Sequence, residues 1–185
     1  MATKRKRKQQ KKHKSVKKVS AKAASAVNDK PLREQLAKVL GWGEAHANWK
    51  QALTGLDAAH RAVRPPGSPY SAWELLEHAR LAQHDILEFA LDAKHESPEW
   101  PSGYWPKNPA PVDDAEWGKC VQSFFHDLQR AEKLVNNPRT DLFAKIPHGT
   151  GQTMLRQALL LADHNSYHLG QFVLVRRLVG AWQAK

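Results

Sequence analysis

Apolar residues recur along this chain at intervals of three and four, the period of a helix with one buried face. The first such stripe is Val39, Trp42, His46, Trp49, Leu53 and Leu56. Asp29 stands ahead of it as a candidate cap, with Pro31 in the first turn. Gly41 and Gly43 weaken the pattern locally, but the stripe runs through them, so one helix is expected. "VRPPGSPY" (63–70) reads as a rigid loop. Ser71 then caps a second helix, with Glu74 placed for a capping box and Leu75, Leu76, Ala79, Ala82, Ile86 and Phe89 as its buried face. Asp113 opens a third, whose stripe is Trp117, Cys120, Val121, Phe124, Leu128, Ala131 and Val135. A fourth runs from about Gln152 to Val179, with Gly180 as its stop.

The second and third helices are joined by "HESPEWPSGYWPKNPAPV" (95–112). Its five prolines exclude regular helix, while Trp100, Tyr104 and Trp105 argue for a segment that packs onto the fold. A connection of this length in a compact domain is usually functional or docked as a lid. Four helices, no strand pattern and no repeat of solenoid period predict an all-α fold, a four-helix bundle with long connecting loops over residues 29–185. The long first and third connections leave room for a pocket at one end.

Composition narrows the class. Hydrophobic residues make up 41% and charged residues 25% of the 185, as in soluble globular proteins. No apolar run approaches the roughly 18 residues of a membrane helix, so no membrane association is expected. The basic N-terminus lacks the apolar stretch of a secretory signal. Cys120 is the only cysteine, which excludes an intramolecular disulfide and suits a cytoplasmic setting. The net charge of +11 is unevenly spread. Residues 1–30 hold twelve Lys/Arg against Asp29 alone, leaving 17 basic and 17 acidic residues in the rest. The predicted bundle is therefore neutral. Residues 1–28 read as a disordered Lys-rich tail, either a solubilising extension or a salt-sensitive contact to nucleic acid.

The candidate chemistry lies in "LADHNSYHLGQ" (161–171). His164 and His168 sit one helical turn apart, about 6 Å along the axis and 40° around it. They continue the stripe Gln157, Leu161, His164, His168, Gln171 and Val175, which borders the apolar face of the fourth helix. Polar side chains aimed inward need partners, which a metal, a bound substrate or buried water would supply. His78 on the second helix is the candidate third ligand. Asp85, two turns on, is placed to orient an imidazole or a metal-bound water, or else lines the surface. His46 reads as pocket-lining or as a satisfied core histidine, and His148 as a group at the pocket mouth. His84 and His126 read as solvated. "HNSYH" has zincin spacing but carries Asn165 where the general-base Glu would stand. There is no P-loop, GxGxxG or GxSxG motif, and Cys120 reads as a small core residue.

Two stretches, "SAWELLEHARLAQHDILEF" and "TGQTMLRQALLLADHNSYHLGQFVLVRRLVGAW", resemble the DinB-like superfamily of bacterial four-helix-bundle proteins. The resemblance spans about residues 30–182. Its signature is a histidine in helix two with H-x-x-x-H-x-G-Q in helix four, here His78, His164, His168, Gly170 and Gln171. It implies a divalent metal held by His78, His164 and His168, with zinc, nickel and iron all compatible. Members with assigned activity include thiol-dependent transferases and isomerases and hydrolase-like proteins. The resemblance thus implies an enzyme in which the metal activates water or a low-molecular-weight thiol. Asp85 and Gln171 would orient the ligands, with His46, His148 and Trp105 around a small-molecule substrate. The alternative is a non-catalytic metal-binding bundle whose tail contacts nucleic acid. A homodimer is compatible with either.

Overall fold

Side-chain caps set most of the helix boundaries. Ser71 Oγ accepts from the Glu74 amide while the Glu74 carboxylate accepts from the Ser71 amide, the predicted capping box. Asp113 caps its helix through the Glu116 amide, and Thr153 caps the last through the Arg156 amide. The computed structural model describes residues 28–41 and 43–182, so the expectations for residues 1–27 and for Trp42 lie outside the described residues. The helices are α1 Lys30–Leu40, α2 Trp49–Leu53, α3 Ala58–Arg61, α4 Ala72–Leu91, α5 Asp114–Asn136 and α6 Met154–Leu178, with one 3₁₀ turn at Ser102–Tyr104. The described residues contain no strand, and no helix among them is long and apolar enough to cross a membrane. Gly180 ends α6 at φ +75°, the left-handed conformation that suits glycine.

The chain is helical, as expected, but the single first helix is not formed. α1 ends at Leu40, and the stripe resumes only at Trp49. Each glycine costs a helix interior about 1 kcal/mol relative to alanine, and two stand within three residues. The chain also folds back on itself there. A Cβ at Gly43 would lie 2.9 Å from the Asn48 side chain, which caps α2 through the Gln51 amide at 2.9 Å. Asp29 accepts no capping bond from a backbone amide. Instead it takes the Arg33 guanidinium at 2.6 Å.

α4 packs against both α5 and α6, and α1 packs against those same two helices. Leu75, Leu76, Phe124 and Phe172 are fully buried where they meet. Trp49 closes this core, its ring tilted against Phe124 at 4.9 Å and Phe172 at 5.4 Å. Two buried arginines tie helix ends together. Arg33 on α1 donates to the carbonyls of Val135 at 2.8 Å, Asn137 at 2.9 Å and Thr140 at 2.6 Å, at the C-terminus of α5. Arg176 on α6 donates in the same way to Ala52, Thr54 and Ala181. Val135 and Ala52 lie in the last turns of α5 and α2, where carbonyls have no intrahelical partner, so a guanidinium with several donors meets a need that helix termini leave open.

Arg33→Met keeps the length of the stem and removes those donors. It is expected to lower stability by about 2–3 kcal/mol in urea unfolding, from the Val135 and Thr140 carbonyls left without the guanidinium. A loss below about 0.5 kcal/mol would mean that water replaces the guanidinium at no cost.

Candidate metal centre

α4 and α6 are held in register beside the histidines by a polar tie. Asn165 Nδ2 donates to Gln83 Oε1 at 2.7 Å, and Gln83 Nε2 donates to the Phe124 carbonyl of α5 at 2.6 Å. Both side chains are buried. In that register His78 on α4 meets His164 and His168 on α6. The ring centroids lie 5.0 Å apart for His78 and His164, and 4.4 Å for His78 and His168 and for His164 and His168. One ligand nitrogen from each ring lies within 4.8 Å of the others.

Hydrogen bonds assign the tautomers of two rings. His78 Nδ1 lies 2.8 Å from the Tyr104 carbonyl oxygen, which only accepts, so Nδ1 carries the proton. His168 Nδ1 donates to Gln171 Oε1 at 2.8 Å. In neutral imidazoles both Nε2 atoms are then bare lone pairs, and they face each other at 3.0 Å. Two lone pairs at that distance repel unless positive charge stands between them. Burial disfavours such charge as a proton. It pushes His164 and His168 down to about 4, helped by the neighbouring imidazoles, and it lowers His78 against the raising effect of the Tyr104 carbonyl. His164 Nδ1 is also buried with no hydrogen-bond partner, a cost that native structures seldom carry without reason.

These observations fit a divalent cation. Its histidine ligands must be neutral to bind, and these are. A ring nitrogen binds zinc at about 2.0–2.1 Å, so two ligands at 90–110° stand about 2.8–3.4 Å apart, a range that includes the His78–His168 spacing of 3.0 Å. Carboxylate, carbonyl or amide bonds to the remote nitrogen are the usual way that ligand rings are oriented. Here Tyr104 and Gln171 supply them.

The aromatic part of the 95–112 connection lies against the centre. Trp105 stacks on His78 with centroids 4.0 Å apart and planes at 10°, and its other face stacks on Tyr70 at 4.1 Å. Tyr167, exposed, meets His168 edge-on at 4.9 Å. Gln171 and Trp105 thus stand beside the three histidines.

Asp85, His46 and His148 do not. Asp85 hydrogen-bonds to none of the three histidines. Its carboxylate accepts from His95 Nε2 and from the Tyr104 hydroxyl, each at 2.8 Å. Burial and that carboxylate push the Tyr104 hydroxyl up to about 12, so it stays protonated and donates. His46 falls in the break between α1 and α2, exposed, with Nδ1 on the Ala47 carbonyl. The lost helix removes the stripe that was to bury it. His148 is exposed and lies on the Phe89 carbonyl at 2.6 Å. Phe89 is eleven residues along α4 from His78, about 16 Å, so His148 belongs to the opposite end of the helix. A cavity of about 220 Å³ opens between α1, α2, α5 and α6, and none of the three histidines lines it.

Sequence reasoning gave the Tyr104 carbonyl and hydroxyl no role at the site, and it passed over Tyr70, Gln83 and Asp127. Asp127 is buried on α5, where it pairs with His84 at 2.7 Å and Arg130 at 3.0 Å. His84 and His126 are exposed, as expected. Gln83 carried a readable signal, being the one uncharged polar residue among Ala79, Ala82, Ile86 and Leu87 of the buried face.

Compared with protein-family models, curated proteins and solved structures, the chain matches none of them. The geometry of the three histidines therefore carries the functional argument.

Without metal, the centre makes stability depend on pH. His164 and His168 have folded-state values near 4 against an ordinary 6.5. Between those values the unfolded chain binds more protons, so stability is full above about pH 6.5 and falls as pH drops toward 4. Urea midpoints of chelator-treated protein should decline across that window. The double variant His164→Gln/His168→Gln should flatten the decline. An equal slope in both proteins would show that other groups cause it.

Proposed function

We propose that His78, His164 and His168 hold one divalent cation, and that the protein is a metal-dependent enzyme of the DinB-like type built on a four-helix bundle. The observation that carries this reading is the pair of bare Nε2 atoms of His78 and His168, facing each other at 3.0 Å beside an unpartnered His164 nitrogen. The H-x-x-x-H-x-G-Q run over residues 164–171, with its helix-two partner His78, supports the family assignment.

Bound there, the cation would act as a Lewis acid and lower the pKa of a coordinated water or thiol, so that a nucleophile exists near neutral pH. Three neutral imidazoles suit that role because they leave the positive charge uncompensated. Zinc, nickel and iron all accept such ligands. The protein's own groups do the positioning. Gln171 holds the proton on His168 Nδ1, and the Tyr104 carbonyl holds the one on His78 Nδ1. Each ring therefore offers Nε2 without a change of tautomer. Trp105 covers one face of His78 and excludes water from it. With Tyr70 and Tyr167 it forms an aromatic surround suited to the apolar part of a small substrate. A thiol-dependent group transfer and a hydrolysis both fit this arrangement. Turnover of an electrophile panel with and without added thiols separates them.

Metal analysis of the purified full-length protein should find close to one divalent ion per chain. His164→Ala should reduce this to background, with helicity unchanged by circular dichroism. Full metal occupancy in the folded variant would remove the three-histidine site.

A further inference from the structure

The Asp85 carboxylate lies away from the three histidines, yet it holds the loop that touches one of them. Asp85 is seven residues from His78 on α4, two turns and about 10 Å along the axis. Its Oδ1 accepts from His95 Nε2 and its Oδ2 from the Tyr104 hydroxyl, both at 2.8 Å. The Asp85 and His95 side chains are only 14% and 16% exposed, so these bonds are poorly reached by competing water. His95 and Tyr104 bracket one stretch of the long connection. A single carboxylate thus pins both ends of residues 95–104 to α4.

The stretch between those ends is tightly folded. The Gly103 amide donates to the Glu99 carbonyl at 2.7 Å, and a Cβ on Gly103 would lie 2.7 Å from the Pro98 Cβ. A turn packed this closely passes a shift at one end to the other. At its downstream end, two consecutive residues set the geometry of His78. The Tyr104 carbonyl fixes its tautomer at 2.8 Å, and the Trp105 ring fixes its plane at 4.0 Å. Beyond Trp105 the connection has its own anchor, the Trp73 Nε1 bond to the Asn108 carbonyl at 3.0 Å. On the upstream side the anchor is Asp85.

We propose that Asp85 is a positioning residue for the metal ligand His78, acting through the Tyr104 hydroxyl to hold the Tyr104 carbonyl on Nδ1 of the ring. This rests on the reading of the three histidines as a metal centre. It adds a residue that hydrogen-bonds to none of the three histidines. Loss of an outer partner of a ligand histidine typically weakens metal binding by about 10–100-fold.

Two substitutions in the full-length protein test it. Tyr104→Phe removes the hydroxyl and leaves the carbonyl and Trp105 in the chain. Asp85→Asn keeps the side-chain shape and removes the charge. Zinc affinity is measured by competition with a chromophoric chelator. The tautomer of His78 is read in metal-free protein from the ring nitrogen shifts in long-range proton–nitrogen spectra.

In the wild type, His78 should carry its proton on Nδ1 alone. In each variant, zinc affinity should fall about 10–100-fold and His78 should show a mixture of tautomers. Affinity within twofold of wild type would overturn the proposal. So would weakened binding with His78 still protonated only on Nδ1, because that marks general destabilisation. If Asp85→Asn does not fold, Tyr104→Phe alone decides. Should the wild type bind no zinc, nickel or iron, the metal reading fails by itself. The tautomer comparison would still judge the link from Asp85 to His78.

Discussion

The structure turns on a repulsion that it does not relieve with its own side chains. Two imidazole nitrogens without protons are held 3.0 Å apart between α4 and α6, in surroundings that discourage protonation. Every contact around the rings enforces that state. Gln171 and the Tyr104 carbonyl keep the protons on the remote nitrogens. Trp105 closes over His78, and the third ring presents a buried nitrogen with nothing to bond. A protein that gained nothing from three clustered neutral histidines would be more stable with apolar groups in their place, since unpaired buried polar atoms are costly.

The surrounding fold reads as support for that cluster. Gln83 and Asn165 share a buried bond at the level of the histidines and so set how α4 and α6 slide past each other. Small residues, Ala79 and Ala82 on α4 and Ala158 and Ala162 on α6, are buried in the core. At the ends, Arg33 and Arg176 gather the carbonyls of neighbouring elements. α1, short and followed by a break, is thereby attached to the longer helices. The connection from α4 to α5, read from sequence as functional or docked as a lid, lies against His78 through the Tyr104 carbonyl and the Trp105 ring.

What the residues disclosed in advance follows from local physics. The box formed by Ser71 and Glu74, the cap at Asp113 and the stop at Gly180 are short-range events, and they form as read. The stripes of α4, α5 and α6 are long enough for a 3.6-residue period to be unambiguous. The break after Leu40 was visible as Gly41 and Gly43. However, periodicity weighs apolar positions and not backbone entropy, so the stripe masked it. His46 was misplaced for the same reason. His148 and Asp85 are a different case. Their partners, the Phe89 carbonyl and the Tyr104 hydroxyl, come from remote elements, and no spacing rule reports such contacts. The convergence of His78 with His164 and His168 is also a tertiary contact. The inward-facing positions on α6 and α4 made it one candidate, and the resemblance of the His78 and H-x-x-x-H-x-G-Q pattern to the DinB-like superfamily selected it.

X-ray absorption at the zinc edge of the full-length protein loaded with one equivalent of Zn²⁺ tests the central claim most directly. The account predicts three imidazole nitrogens at about 2.0–2.1 Å, with the multiple-scattering pattern of histidine rings. A shell with one imidazole or none, filled instead by carboxylate or water oxygens, would contradict it.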